Sequence, residues 1–93
     1  MEDTRYKASL DLIVRKDPEG CMAILCDDEP GYYLLKGMQA ELLNLISISS
    51  QPVGIKQLFE KMNEIYEIDQ ATLQGDIKFS LNKMVTLKLI VTV

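Results

Sequence analysis

The period of the hydrophobic pattern changes once along this chain of 93 residues, and that change limits the fold more than any other feature. Up to Leu35 the pattern suits pleated strands; from Met38 it repeats every three to four residues, as on a helix. Leu10, Leu12 and Val14 alternate with Asp11, Ile13 and Arg15, a first strand. Lys16-Asp17-Pro18-Glu19-Gly20, with proline early and glycine last, reads as a hairpin loop. Cys21 to Cys26 is a second strand, apolar on both faces, and Asp27-Asp28-Glu29-Pro30-Gly31 is a second turn. Tyr32 to Leu35 makes a short third strand, its aromatic and aliphatic side chains suiting pleated structure.

The helical half has three segments. Met38, Leu42, Leu45 and Ile46 form one stripe, with Leu43 beside it, and the serines, Pro52 and Gly54 end that helix. Ile55, Leu58, Phe59, Met62, Ile65 and Tyr66 follow the spacing of an amphipathic helix. Asp69 is the expected N-cap of a longer helix from Gln70 to about Leu87. The β-branched end, Leu89 to Val93, suits a short strand. The expected architecture is α+β and winged helix-turn-helix-like: a three-stranded antiparallel sheet followed by three helices. Residues 1–93 form a single domain, with 1–7 a flexible N-terminal segment.

Several function classes lose support. The chain has no histidine, the commonest general base and metal ligand. Its five glycines are scattered, so no phosphate loop forms, and no nucleophile elbow appears. Asp27, Asp28 and Glu29 lack the regular ligand spacing of a calcium loop and read as a solvated turn. Two cysteines without histidine make a poor zinc set. Cys21 and Cys26, five apart in one strand, point to opposite faces and act as small hydrophobes in a reducing compartment. The expectation is a non-enzyme with no cofactor and no metal. No apolar run approaches the roughly 20 residues of a membrane span, and the polar start resembles no signal peptide, so the expected location is the cytoplasm.

Charge bears on the partner. The net charge is −4, which disfavours nucleic acid. Residues 77–93 nevertheless carry Lys78, Lys83 and Lys88 and no acid. A winged-helix DNA-binding regulator, with the third helix reading DNA, is therefore one alternative. Two local features point instead to a peptide or protein. At about 100° per residue, Leu73, Ile77, Ser80, Leu81, Met84 and Leu87 share the core-facing arc of the third helix. Phe79 falls outside that arc, beside Asp76 and Lys83. Either another segment covers it, or it lines a groove with Asp76 and Lys83 as polar rim. The third strand, Tyr32 to Lys36, has no mid-strand proline or inward charge to blunt an edge. An extended peptide could add to it. The chain's own end, Ile90 to Val93, or a second copy in a homodimer would compete for the same place; a structural interaction subunit is thus the other alternative.

Gly31-Tyr32-Tyr33-Leu34-Leu35, the helix from Met38 to Ile48, Pro52-Val53-Gly54-Ile55-Lys56-Gln57-Leu58, and Asp76-Ile77-Lys78-Phe79 with Met84 and Leu89-Ile90 together resemble the PqqD-like family, also called RiPP recognition elements. The resemblance covers about residues 8–91 and rests on spacing and residue class. It departs where the family often has Leu-Asn before a small or acidic residue and this chain has Leu35-Lys36-Gly37. It departs again at Lys88, where a glycine usually precedes the last aliphatic pair. Membership implies a peptide chaperone of natural-product biosynthesis. It would bind the leader segment of a ribosomally synthesised precursor peptide and deliver it to a modifying enzyme, often a radical SAM protein. The leader would add to the third strand, lined by Tyr32, Tyr33, Leu34 and Leu35, beside the third helix, with Asp76, Phe79 and Lys83.

Overall fold

A computed structural model describes residues 4–26 and 31–93. Six strands and three helices follow in the order β1 (Arg5–Ala8), β2 (Leu12–Asp17), β3 (Gly20–Leu25), β4 (Gly31–Leu35), α1 (Gly37–Ile48), β5 (Val53–Gly54), α2 (Ile55–Ile65), α3 (Gln70–Thr86) and β6 (Ile90–Thr92). The expected α+β architecture stands, with a three-stranded antiparallel meander β2-β3-β4. A second antiparallel sheet, β5-β1-β6, accompanies it.

The second sheet corrects the expectation for the N-terminal segment. Arg5 to Lys7 lies in β1, where Tyr6 sits opposite both Val53 and Thr92. Tyr6 is buried, so the pairing is anchored by an aromatic side chain in the core. The C-terminal residues do form a strand, and it joins β1. Further hydrogen bonds extend this junction: the Val93 N–H donates to the Arg5 carbonyl over 2.9 Å and the Ser9 N–H to the Leu89 carbonyl over 3.1 Å.

The first strand of the meander starts later than the alternation suggests. Leu10 lies in the turn between β1 and β2 and is 92% exposed. The chain reverses here: the Leu12 N–H donates to the Ser9 carbonyl over 3.2 Å. At the hairpin, pairing continues to Asp17 opposite Gly20, so only Pro18 and Glu19 form the turn. Proline presets the backbone for such a turn, and the Asp17 Oδ1 accepts from the Glu19 N–H over 3.0 Å. Gly20 is required for packing, because a Cβ there would collide with the Leu35 carbonyl oxygen. Of the turn expected over 27–31, residues 27–30 with the three carboxylates lie outside the described residues, and Gly31 opens β4.

The helices fall close to their expected spans. The Asp69 Oδ2 accepts from the Thr72 N–H over 3.2 Å, capping α3 as its sequence suggests. The Gln57 side-chain oxygen caps the entry to α2 by accepting from the Gly54 N–H over 2.9 Å. α1 differs in which side it buries. Ala40, Leu42, Leu43 and Ile46 are buried, whereas Met38 and Leu45 are only partly so. The reason is its central place: α1 touches β1, β3, α2 and α3, so its apolar surface is wider than one stripe. Core contacts converge there, with Leu42, Leu43, Leu58, Met62, Leu73, Leu81, Met84 and Leu89 fully inaccessible.

α3 ends in a tight turn at Lys88. Lys88 has φ 66°, the left-handed conformation that favours glycine. The Lys88 N–H donates to the Val85 carbonyl and the Leu89 N–H to the Met84 carbonyl, both over 3.0 Å. These are the two bonds of a Schellman cap. The turn they make aims the chain into β6.

Candidate functional site

β4 is the outer strand of the meander, and among the described residues no strand pairs with its free side. Its residues Gly31 to Leu35 carry no charge. The opposite border, β2, carries Arg15, Lys16 and Asp17, and charged side chains discourage pairing along an edge. The chain's own end, the competitor foreseen for β4, is held in the other sheet.

Register divides the β4 side chains between two faces. Tyr33 and Leu35 lie opposite Ala23 and Cys21, both buried, and so face the helices. Leu35 is itself in the core at 5% exposure. It can offer a guest only its backbone; its side chain supports the strand from behind. Tyr33 is half-buried against the core. Tyr32 and Leu34 point the other way and are 74% and 45% exposed.

That outer face holds more apolar surface than the alternation in the sequence revealed. Pairing aligns Ile13, Ile24 and Tyr32 in one row and Arg15, Met22 and Leu34 in the next. Ile13 is 49% exposed, while Met22 and Ile24 are half-buried. Only register, which a one-residue slip would invert, assembles these residues on one surface. The available signal was Ile13, an aliphatic residue at a position the strand's own alternation assigns to solvent.

On α3 the expected arc is observed. Leu73, Ile77, Ser80, Leu81 and Met84 are buried, and Leu87 is half-buried. Phe79 is 68% exposed, about 200° around the helix from Ile77. Asp76 and Lys83 flank it and are exposed. No described segment covers this phenyl ring. α3 packs mainly on α1, α2 and β6 rather than on β4, so α1 links the helix to the meander.

Lys78 lies on the other flank of α3, about 140° from Lys83 at helical spacing. It rims a cleft of about 370 Å³ between α2 and α3, floored by Ile55, Phe59 and Ile77, with Lys56 on the facing helix. The two α3 lysines therefore form no single basic stripe of the kind that tracks a phosphate backbone.

Only Cys21 is the buried small hydrophobe expected of both cysteines; Cys26 lies just past the end of β3 and is exposed, and both are free thiols. Burial, and then the nearby Glu41 carboxylate, push the Cys21 thiol above its ordinary range, which makes it a poor nucleophile. Among the described residues, no group of three or more acidic or cysteine side chains is placed to hold a metal, and no helix is long and apolar enough to cross a membrane.

Among solved structures, the chain matches TbiB1, determined in complex with the TbiA(beta) leader peptide. The TM-score is 0.77 at 13% sequence identity, over 90% of this chain and 93% of that one. At this identity the likeness establishes a shared fold. No protein-family model matches the chain, and no curated protein matches it in sequence.

Proposed function

We propose that this protein is a non-catalytic recognition domain of the PqqD-like kind. It binds the leader segment of a ribosomally synthesised precursor peptide and delivers it to a modifying enzyme, a radical SAM protein being the family's frequent partner. The observation that carries this reading is the vacant, uncharged border of β4, in a fold shared with a protein solved in complex with a leader peptide.

The physical argument runs through the backbone. An extended guest pairs with the unsatisfied N–H and C=O groups of Gly31 to Leu35, which gives affinity with little dependence on guest sequence. Specificity then comes from side chains. Guest residues alternate between the Tyr32 and Leu34 face and the Tyr33 face. On the α3 side, Phe79 offers apolar contact to an aliphatic or aromatic guest residue, with Asp76 and Lys83 as its polar rim. Lys83 favours an acidic neighbour, but an exposed ion pair contributes only about 0–1 kcal/mol.

The test is a fluorescence-anisotropy titration with labelled leader peptides, the TbiA(beta) leader among them. A second leader, N-methylated at two alternate amides, loses two donors to the β4 carbonyls. At about 1 kcal/mol each, that loss weakens binding roughly tenfold or more. Equal binding of the two leaders rules out strand addition. Phe79→Ala weakens binding more than Lys83→Ala; the reverse order would show that charge, not apolar contact, reads the guest.

A further inference from the structure

A strand edge that is vacant and uncharged is also open to its own copy, and β4 has a register suited to that. In an antiparallel contact with two-fold symmetry, residues equally distant from the axis meet. With Tyr33 on the axis, Tyr32 meets the partner's Leu34, and Gly31 meets the partner's Leu35. No charge within Gly31 to Leu35 opposes its own image, because the segment has none. The other outer strands suit this less well: β2 carries three charged residues, and β5 and β6 are only 2 and 3 residues long.

We propose that two copies of this protein associate reversibly along β4, antiparallel about Tyr33, joining their meanders into one six-stranded sheet. The outer face supplies the apolar contacts. In each copy the row Ile13–Ile24–Tyr32 ends at the free border, and so does the row Arg15–Met22–Leu34. Self-pairing joins the first row of one copy to the second row of its partner, so Tyr32 gains Leu34 as cross-strand neighbour, twice by symmetry. These are the side chains now 74% and 45% exposed. Aromatic–aliphatic pairs of this kind stabilise antiparallel sheets. On the inner face the two Tyr33 rings meet.

Size sets the strength. The contact is a single ladder of five residues, about 17 Å long, which places it among the small protein interfaces. The dimer is therefore weak and forms only as concentration rises. It would shield the exposed edge when no guest is present, as edge strands require. One consequence rests on the peptide-binding reading above: a leader strand and a second copy compete for the same border.

Sedimentation velocity on the full chain, from about 10 μM to 1 mM, a range that brackets weak association, tests this. The wild type passes from monomer to dimer across the range. Leu34→Lys, which sets a charge into both joined rows, weakens association at least tenfold. Circular dichroism confirms that the variant is folded. As a measurement independent of the variant, amide exchange within β4 of the wild type slows as concentration rises. A wild type that stays monomeric, a Leu34→Lys dimer of unchanged strength, or β4 exchange that ignores concentration overturns the proposal. The two readings fail separately: a strict monomer that binds the leader removes only the dimer, and a dimer that binds no leader removes only the peptide.

Discussion

The two sheets of this protein are built from the same kind of short antiparallel strand, yet they do opposite work. β2-β3-β4 is a meander of consecutive strands, closed by a two-residue turn at Pro18-Glu19, and one of its borders faces solvent without charge. β5-β1-β6 gathers strands from both ends and the middle of the chain, and its central strand buries Tyr6. The first sheet offers surface; the second fastens the chain into a closed domain. Recognition surfaces must stay partly unsatisfied to receive a partner, and the stability they forgo has to come from elsewhere in the fold.

This contrast can be broken or sharpened by substitution. The largest effect is expected at the seam. Tyr6→Ala removes a buried aromatic that holds β1 between two partners, at a cost of about 3–5 kcal/mol. Urea unfolding measures it, and a loss below about 1 kcal/mol would show that the seam is dispensable. Next comes a tight backbone contact in the meander. Gly20→Ala sets a methyl group against the Leu35 carbonyl and costs about 1–3 kcal/mol, with the greatest loss of amide protection at the β4 end beside Leu35. A third change acts in the stabilising direction. Lys88→Gly relieves a left-handed residue at the entrance to β6 and raises stability by about 1 kcal/mol, read as a higher urea midpoint with unchanged slope.

The smallest effect is on pH dependence. Burial raises the pKa of both Tyr6 and Cys21, so the folded state favours their neutral forms. That contribution is complete below the ordinary values, 9.0 for Cys21 and 10.0 for Tyr6, and is lost as pH climbs through the raised ones. Melting temperature should fall on the alkaline side of pH 9, and Cys21→Ala should remove the first part of that fall. A wild type and variant with parallel profiles would separate Cys21 from the effect.

Much of this architecture is legible in the order of residues because its causes are local. The helices follow from apolar spacing and from Asp69, whose short carboxylate reaches the Thr72 amide of its own helix. The meander follows from alternation and from a turn that proline and glycine bracket. Phe79 stands out for the same reason: helical geometry alone places it away from Ile77. The seam escapes such reading. Nothing near Arg5-Tyr6-Lys7-Ala8 announces that its partners lie at Val53 and at Ile90 to Thr92, and two of the three pairing segments are too short to show a period. The burial of Leu35 is likewise not legible locally, since it shares a strand with the exposed Tyr32 and Leu34 but packs in the core.

Residue order by itself determined the three helices, the strands of the meander and the one aromatic that helix α3 cannot bury, because these depend on contacts within a few positions. Tertiary structure decided which strand border stays vacant. It also decided which β4 side chains face solvent and that β1 and β6, from opposite ends of the chain, are tied together in one sheet. These depend on register and on partners far away in the chain, and a shift of one residue would have exchanged the inner and outer faces without altering any local preference.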